Sequence, residues 1–322
     1  MRSIGGFFAL EKVAGNYAYH EESRGLTSGR ACLRRLLATL QPARAIVPFY
    51  ICNTVLLSFE RAQIPIEFYD LDRNLQPKLS ERGVSGEVIL FVNYFGLLSQ
   101  CIAEMVDSRN EYIIVDNTQA FFERGHHDAW SFNSARKWFG VPDGAFIYGA
   151  GLNLQDASRS ASPTACHLLE VDRQVAYKKF KRFEAAVSDQ FLAMSPLSAK
   201  VLKQVDYDYV KRTRISNYRF LHKELGLFNR LPPEIIERGQ SGSITPFCYP
   251  LLVDCDVPWD EFWSDGIFVP RLWAEVANRS EAVAYPNSVR IATRLLALPI
   301  DHRYGEADMV WLTDGVKRIM RL

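Results

Sequence analysis

Apolar residues in this chain alternate between two rhythms. Short unbroken apolar runs suit strands covered on both faces, and apolar residues three and four apart suit helices with one buried side. The first helical pattern is Leu33, Leu36, Leu37 and Leu40, with Ser28 placed as its N-cap. Strands are predicted at Ala45–Phe49, Ile66–Tyr69, Glu87–Tyr94, Tyr112–Val115, Trp130–Asn133 and Ala145–Tyr148. Helices are predicted at Thr54–Ala62 and Ser99–Ser108. Strands and helices in this alternation predict a mostly parallel sheet with helices on both faces, a three-layer αβα unit.

Helical spacing returns over Thr164–Ser188 and Leu197–Leu225. Beyond it, the strands Ile244–Val253, Ile267–Pro270 and Arg294–Pro299 and the helices Trp259–Trp263 and Glu306–Met320 predict a smaller C-terminal α/β lobe. The expected division is a large domain over 1–205 and a small one over 206–322, which takes the linking helix. Residues 1–26 show no strong periodicity and are read as an arm that packs on a partner subunit.

Composition narrows the class. A chain of 322 residues with 48% hydrophobic and 23% charged residues has room for two lobes and a large core. A net charge of +1 gives no electrostatic drive toward nucleic acid. The most basic run, Lys178-Lys179-Phe180-Lys181-Arg182, is read as a solvated helix face or subunit edge, with a contact to a phosphorylated substrate as the alternative. Six scattered cysteines without CxxC spacing argue for a reducing compartment rather than a disulfide scaffold. No run approaches the ~20 apolar residues of a membrane helix. A cytoplasmic protein with no membrane partner is expected.

The chemistry concentrates in 112–149. Tyr112–Val115 delivers Asp116 at the end of a strand, where α/β proteins bind ligands. Lys137 follows 21 residues later, after a second strand and ahead of Pro142-Asp143-Gly144. An acid at one strand end and a lysine after its neighbour suit pyridoxal 5'-phosphate (PLP). The acid pairs with a protonated pyridine nitrogen, and the amine forms a Schiff base with an aldehyde. His126-His127-Asp128 has no third ligand at suitable spacing, so no metal site is expected.

Asp116, Gln119, Ser131-Phe132, Lys137 and Asp143-Gly144 together resemble the core of the DegT/StrS sugar aminotransferase family. That resemblance implies PLP fold-type I. Lys137 would carry the cofactor aldehyde, Asp116 would meet the ring nitrogen, and Gln119 would lie against the ring. Ser28-Gly29-Arg30 matches the family's Ser-Gly-Thr phosphate turn with arginine in place of threonine. Ser131 and Ser134 compete for the phosphate, and the Ser-x-x-Lys spacing favours Ser134. Cys52 stands at the position of the family's ring-stacking aromatic, with Tyr50 as a substitute. Arg136 is read as an ion pair, or as a contact for a substrate carboxylate. Arg214, Asn217 and Tyr218 match the helix joining the lobes, and the family's Asn-Tyr-Arg-Met motif is not visible.

The implied reaction is amino transfer, from a donor such as glutamate to a keto sugar, nucleotide-linked, in a homodimer. A lysine at 137 argues against the dehydratase branch, which has histidine there. The competing readings are another PLP reaction on an amino acid and a non-catalytic binding protein of the same fold.

Overall fold

Ser28 starts the first long element. Its backbone is extended, and its hydroxyl accepts from the Ala31 N–H at 3.1 Å, a cap worth about 1 kcal/mol. The helix it opens, α1 (Gly29–Leu40), buries Leu33, Leu36 and Leu37, as the apolar spacing predicts. Each such leucine contributes roughly 1.5–3 kcal/mol of burial. Two short strands precede it, β1 (Ile4–Gly5) and β2 (Gly25–Leu26). The computed structural model describes residues 2–79, 86–108, 112–154, 157–159, 165–170, 172–187 and 189–322.

The main sheet then builds in βα steps. β3 (Arg44–Pro48), α2 (Asn53–Arg61), β4 (Ile66–Leu71), β5 (Pro77–Lys78), β6 (Glu87–Val92), α3 (Ser99–Asp107), β7 (Tyr112–Asn117), β8 (Trp130–Asn133) and β9 (Ala145–Tyr148) follow in order. Next come β10 (Ser158–Arg159), α4 (Arg173–Ala186), β11 (Leu192–Ala193), α5 (Pro196–Leu202) and α6 (Tyr207–Leu225). The sheet order is β10-β11-β2-β9-β8-β7-β6-β3-β4-β5. The pairs β4/β3, β3/β6, β6/β7 and β7/β8 are parallel, and β9 closes antiparallel on β8. Every residue of β6 is buried, as a strand covered on both faces requires.

The C-terminal part holds α7 (Pro233–Ile236), β12 (Tyr249–Leu252), α8 (Trp259–Ser264), β13 (Ile267–Phe268), α9 (Pro286–Arg294), β14 (Leu295–Leu298) and α10 (Glu306–Met320). β12 and β14 pair antiparallel. β1 pairs parallel with β13, so the first residues lie against the C-terminal part of their own chain. No helix among the described residues is long and apolar enough to cross a membrane.

Several elements are shorter than their patterns. The predicted strand to Tyr94 stops at Val92, because Phe95 and Gly96 take left-handed backbone in a tight turn. Leu197–Leu225 divides into α5 and α6 where Asp206 caps a new helix by accepting from the Tyr209 N–H at 2.9 Å. Ile244–Val253 is a strand only from Tyr249. Of Thr164–Ser188, both named ends lie outside the described residues, and the helix is Arg173–Ala186.

His20 gives the fold a pH dependence. It is 2% exposed and packs on Phe121 and Phe146, with Nε2 2.8 Å from the Phe121 carbonyl oxygen. Lost hydration, helped by Arg124 and Lys211, pushes its pKa from 6.5 down to about 3. Between those values the unfolded chain holds the extra proton. Stability is therefore full above pH 6.5 and falls as pH drops toward 3. Urea midpoints should show about 2–3 kcal/mol lost by about pH 4.5, and His20→Gln should flatten that slope.

Candidate active site

β7 and β8 run parallel with Asp116 opposite Phe132 and Asn117 opposite Asn133, so both strands end at the same edge. Asp116 is 5% exposed there. Its Oδ1 accepts from the Thr118 N–H at 2.8 Å, which fixes the carboxylate at the strand end. Beyond β8 the chain turns through a short 3-10 helix, Ala135–Lys137. The turn brings Lys137 back toward β7, and its Nζ donates to Thr118 Oγ1 at 2.8 Å. Thr118 thus touches both the carboxylate and the amine.

Asp116 and Lys137 line one cavity of about 440 Å³, together with Gln119, Ser28, Gly29, Arg30, Cys52 and Ser134. Gln119 is held by its Oε1, which accepts from the Phe95 N–H at 2.7 Å. The neighbouring Gly96 has φ +70°, and a Cβ there would lie 2.7 Å from the Gln119 carbonyl oxygen. Only glycine allows that turn to press so closely on Gln119. Gly29 brings the start of α1 close as well, though less tightly, since a Cβ on it would lie 3.3 Å from Thr118 Cγ2. The first-turn N–H groups of α1 have no helical carbonyl to bond, and they carry the positive end of the helix dipole.

The cavity separates the two serines. Backbone at Ser134 is extended, so Phe132 and Ser134 share one face of β8 and Ser131 shares the other with Asn133. Asn133 bonds away from the cavity, toward His20 and the Phe146 N–H. Ser131 is buried and does not line the cavity, whereas Ser134 does. Tyr50 lies apart from the cavity as well. It packs in the core against Tyr94 and Trp273, at ring separations of 5.5 and 4.6 Å, and does not reach the cavity. Cys52 does, alongside Trp273.

Other predicted residues act as supports. Asp143 accepts from the Ser195 hydroxyl at 2.7 Å and from the Ser198 hydroxyl, fixing the start of α5. Arg214 is buried 4.2 Å over the Trp138 ring, and Trp138 donates its indole N–H to the Thr118 carbonyl at 3.2 Å. Burial lowers the Arg214 pKa to about 10, which leaves it protonated at neutral pH. Asn217 donates to the Ile300 and Tyr304 carbonyls, tying α6 to the chain ahead of α10.

The far wall was not legible in the sequence. It consists of Phe7 and Phe8 near the N-terminus, His167, Phe180, Phe183 and Glu184 around α4, and Phe247 and Trp273 of the C-terminal part. Arg136 spans toward this wall. Its guanidinium lies 5.0 Å over the Phe183 ring and pairs with Glu184. Burial, with the nearby Arg30 charge, brings its pKa down to about 10. The chemistry-bearing signal for Arg136 was its place beside Lys137. His167 and Glu184 carried no local signal.

These residues fit PLP. The cavity supplies a nucleophilic amine, an acceptor-only carboxylate and a cationic end built from a helix start and two guanidiniums. His167 Nδ1, buried without a partner among the described residues, adds a polar group on that wall.

No family model matches the chain, and no curated protein sequence matches it. Solved structures do. Spr1654 from Streptococcus pneumoniae, assigned as a sugar aminotransferase and solved in its PLP-form, superposes with a TM-score of 0.67 at 12% identity, covering 99% of both chains. The sugar aminotransferase CalS13 from Micromonospora echinospora gives 0.63 at 14% identity, over 92% of this chain and 87% of that one. The aminotransferase TlmJ from Streptoalloteichus hindustanus gives 0.67 at 15% identity, over 94% and 86%. Through nearly its whole length, then, this chain has the PLP fold-type I architecture of the sugar aminotransferases.

Proposed function

We propose that the chain is a PLP-dependent aminotransferase similar to the DegT/StrS sugar aminotransferases. It moves an amino group from a donor such as glutamate to a keto sugar, in nucleotide-linked form. The observation that carries the reading is the meeting of Asp116 and Lys137 across Thr118 in one cavity. A packed scaffold has no use for an acid and an amine converging on an open space. Two of the similar solved structures are of proteins described as sugar aminotransferases, which supports a sugar as acceptor.

In this reading PLP, when bound, supplies an electron sink for the bond that breaks at the substrate carbon. The protein does the rest. Lys137 Nζ would hold the aldehyde and would carry the proton at the substrate carbon. Asp116 holds a proton on the ring nitrogen. Gln119, held by the Phe95 N–H, would lie against the ring. Ser134, the start of α1 and Arg30 receive the phosphate. Lysine suits its role because it gives up its proton more readily than arginine when desolvated. A cytoplasmic homodimer is part of the proposal.

The test is an absorbance scan of the purified protein mixed with PLP, before and after glutamate. A visible band on mixing, which shifts toward the pyridoxamine form with glutamate, is expected. No band at any PLP concentration would defeat the proposal.

A further inference from the structure

Two guanidiniums in the cavity are bound by one helix. Arg136, with its side chain 13% exposed, pairs with Glu184 of α4. Arg30, half-buried at the start of α1, donates to the Val187 carbonyl just past the end of α4 at 3.0 Å. The helix covers the cavity with Phe180, Phe183 and Glu184. His167 sits under it, 4% exposed, with its ring 5.0 Å from Phe183 and 5.4 Å from Phe180. Its Nδ1 has no partner among the described residues.

A carboxylate on a buried guanidinium uses the same donors that a phosphate or a second carboxylate would use. Glu184 is held at Nη2, so an oxyanion that takes up the Nη2 hydrogen displaces it there. We infer that Arg136, backed by His167, is an anion-binding residue of this cavity, and that Glu184 is its exchangeable counter-ion, so that an entering oxyanion displaces Glu184 and loosens α4. The inference rests on the proposed PLP site for its location. The anion is a phosphate monoester or a carboxylate, and the two sources are separable: the cofactor brings the first and the amino donor the second.

The geometry favours exchange over a permanent ion pair. The Glu184 side chain is 37% exposed, so water already competes for its carboxylate and the pair gains little net stability. A carboxylate facing the cavity adds no packing that an apolar side chain would lack. α4 also carries Lys178, Lys181 and Arg182 on its exposed side, so its loosening is readable by trypsin.

The experiment compares wild type, Glu184→Gln and Arg136→Met, using PLP, pyridoxal and inorganic phosphate as binding probes. Where Arg136→Met does not fold, Arg136→Lys replaces it, since lysine keeps the charge but loses the planar fork. Glu184→Gln should tighten PLP about tenfold and leave pyridoxal unchanged, because the competing charge is gone. Arg136→Met should weaken PLP about tenfold or more, again with pyridoxal unchanged. Inorganic phosphate should speed tryptic cleavage at Lys178, Lys181 and Arg182 in wild type and not in Arg136→Met.

If Arg136→Met spares PLP but raises the glutamate concentration needed for the spectral shift about tenfold, the anion is the donor carboxylate, and the inference stands. Unchanged phosphate, PLP and glutamate responses in both variants would overturn it. So would weaker anion binding in Glu184→Gln. A wild type that takes up no PLP, yet binds inorganic phosphate through Arg136, would remove the proposed function and leave this site in place.

Discussion

Lys137→Ala is expected to abolish the visible band formed with PLP and to lower turnover by about a thousandfold or more. The size follows from two losses in one substitution. The amine is the covalent anchor, and it is also the group positioned to carry a proton at the substrate carbon. The fold should survive, because among the described residues the Nζ makes one side-chain bond, to Thr118 Oγ1, at the edge of an open cavity. Circular dichroism and thermal melting of the variant check this. A Lys137→Ala protein that keeps the band would mean that another amine forms the Schiff base. Thr118 also holds the Asp116 carboxylate through its N–H, so its own hydroxyl is a steering contact for the lysine.

Asp116→Asn should cost about 10²–10⁴-fold in turnover while leaving the cofactor bound. Asparagine keeps an Oδ1 to accept the Thr118 N–H, so the strand end stays in place. What it loses is the negative charge that holds a proton on the ring nitrogen. A cofactor analogue with a methyl group on that nitrogen carries a permanent charge and should restore much of the activity of the variant. Single-turnover rates with PLP and with the methylated analogue measure this directly. Equal rates for wild type and Asp116→Asn would take the carboxylate out of the chemistry.

The surroundings explain why these two residues stay in register. Trp138, next to Lys137, is pinned from below by the Thr118 carbonyl and from above by Arg214 of α6. Arg214 in turn donates to the Phe247 carbonyl at 2.8 Å, and Phe247 lines the cavity. The Phe247 N–H donates to the Phe95 carbonyl, whose own N–H holds Gln119. A chain of contacts therefore links α6, the lysine turn and the glutamine.

The chain's own local patterns determined the βα order, the cap at Ser28, the final helix and the placing of Asp116 and Lys137 at neighbouring strand ends. Those features depend on residues a few positions apart, where hydrophobic period and capping chemistry act. Which of Ser131 and Ser134 faces the cavity depended on the side of β8 that carries Phe132, and a strand four residues long does not reveal its faces until its neighbours are in place. Tyr50 belonged to the core and Trp273 to the cavity for the same reason. The wall made by Phe7, His167, Glu184 and Trp273 was decided only by tertiary packing, because it joins segments more than two hundred residues apart and no local spacing records such a meeting.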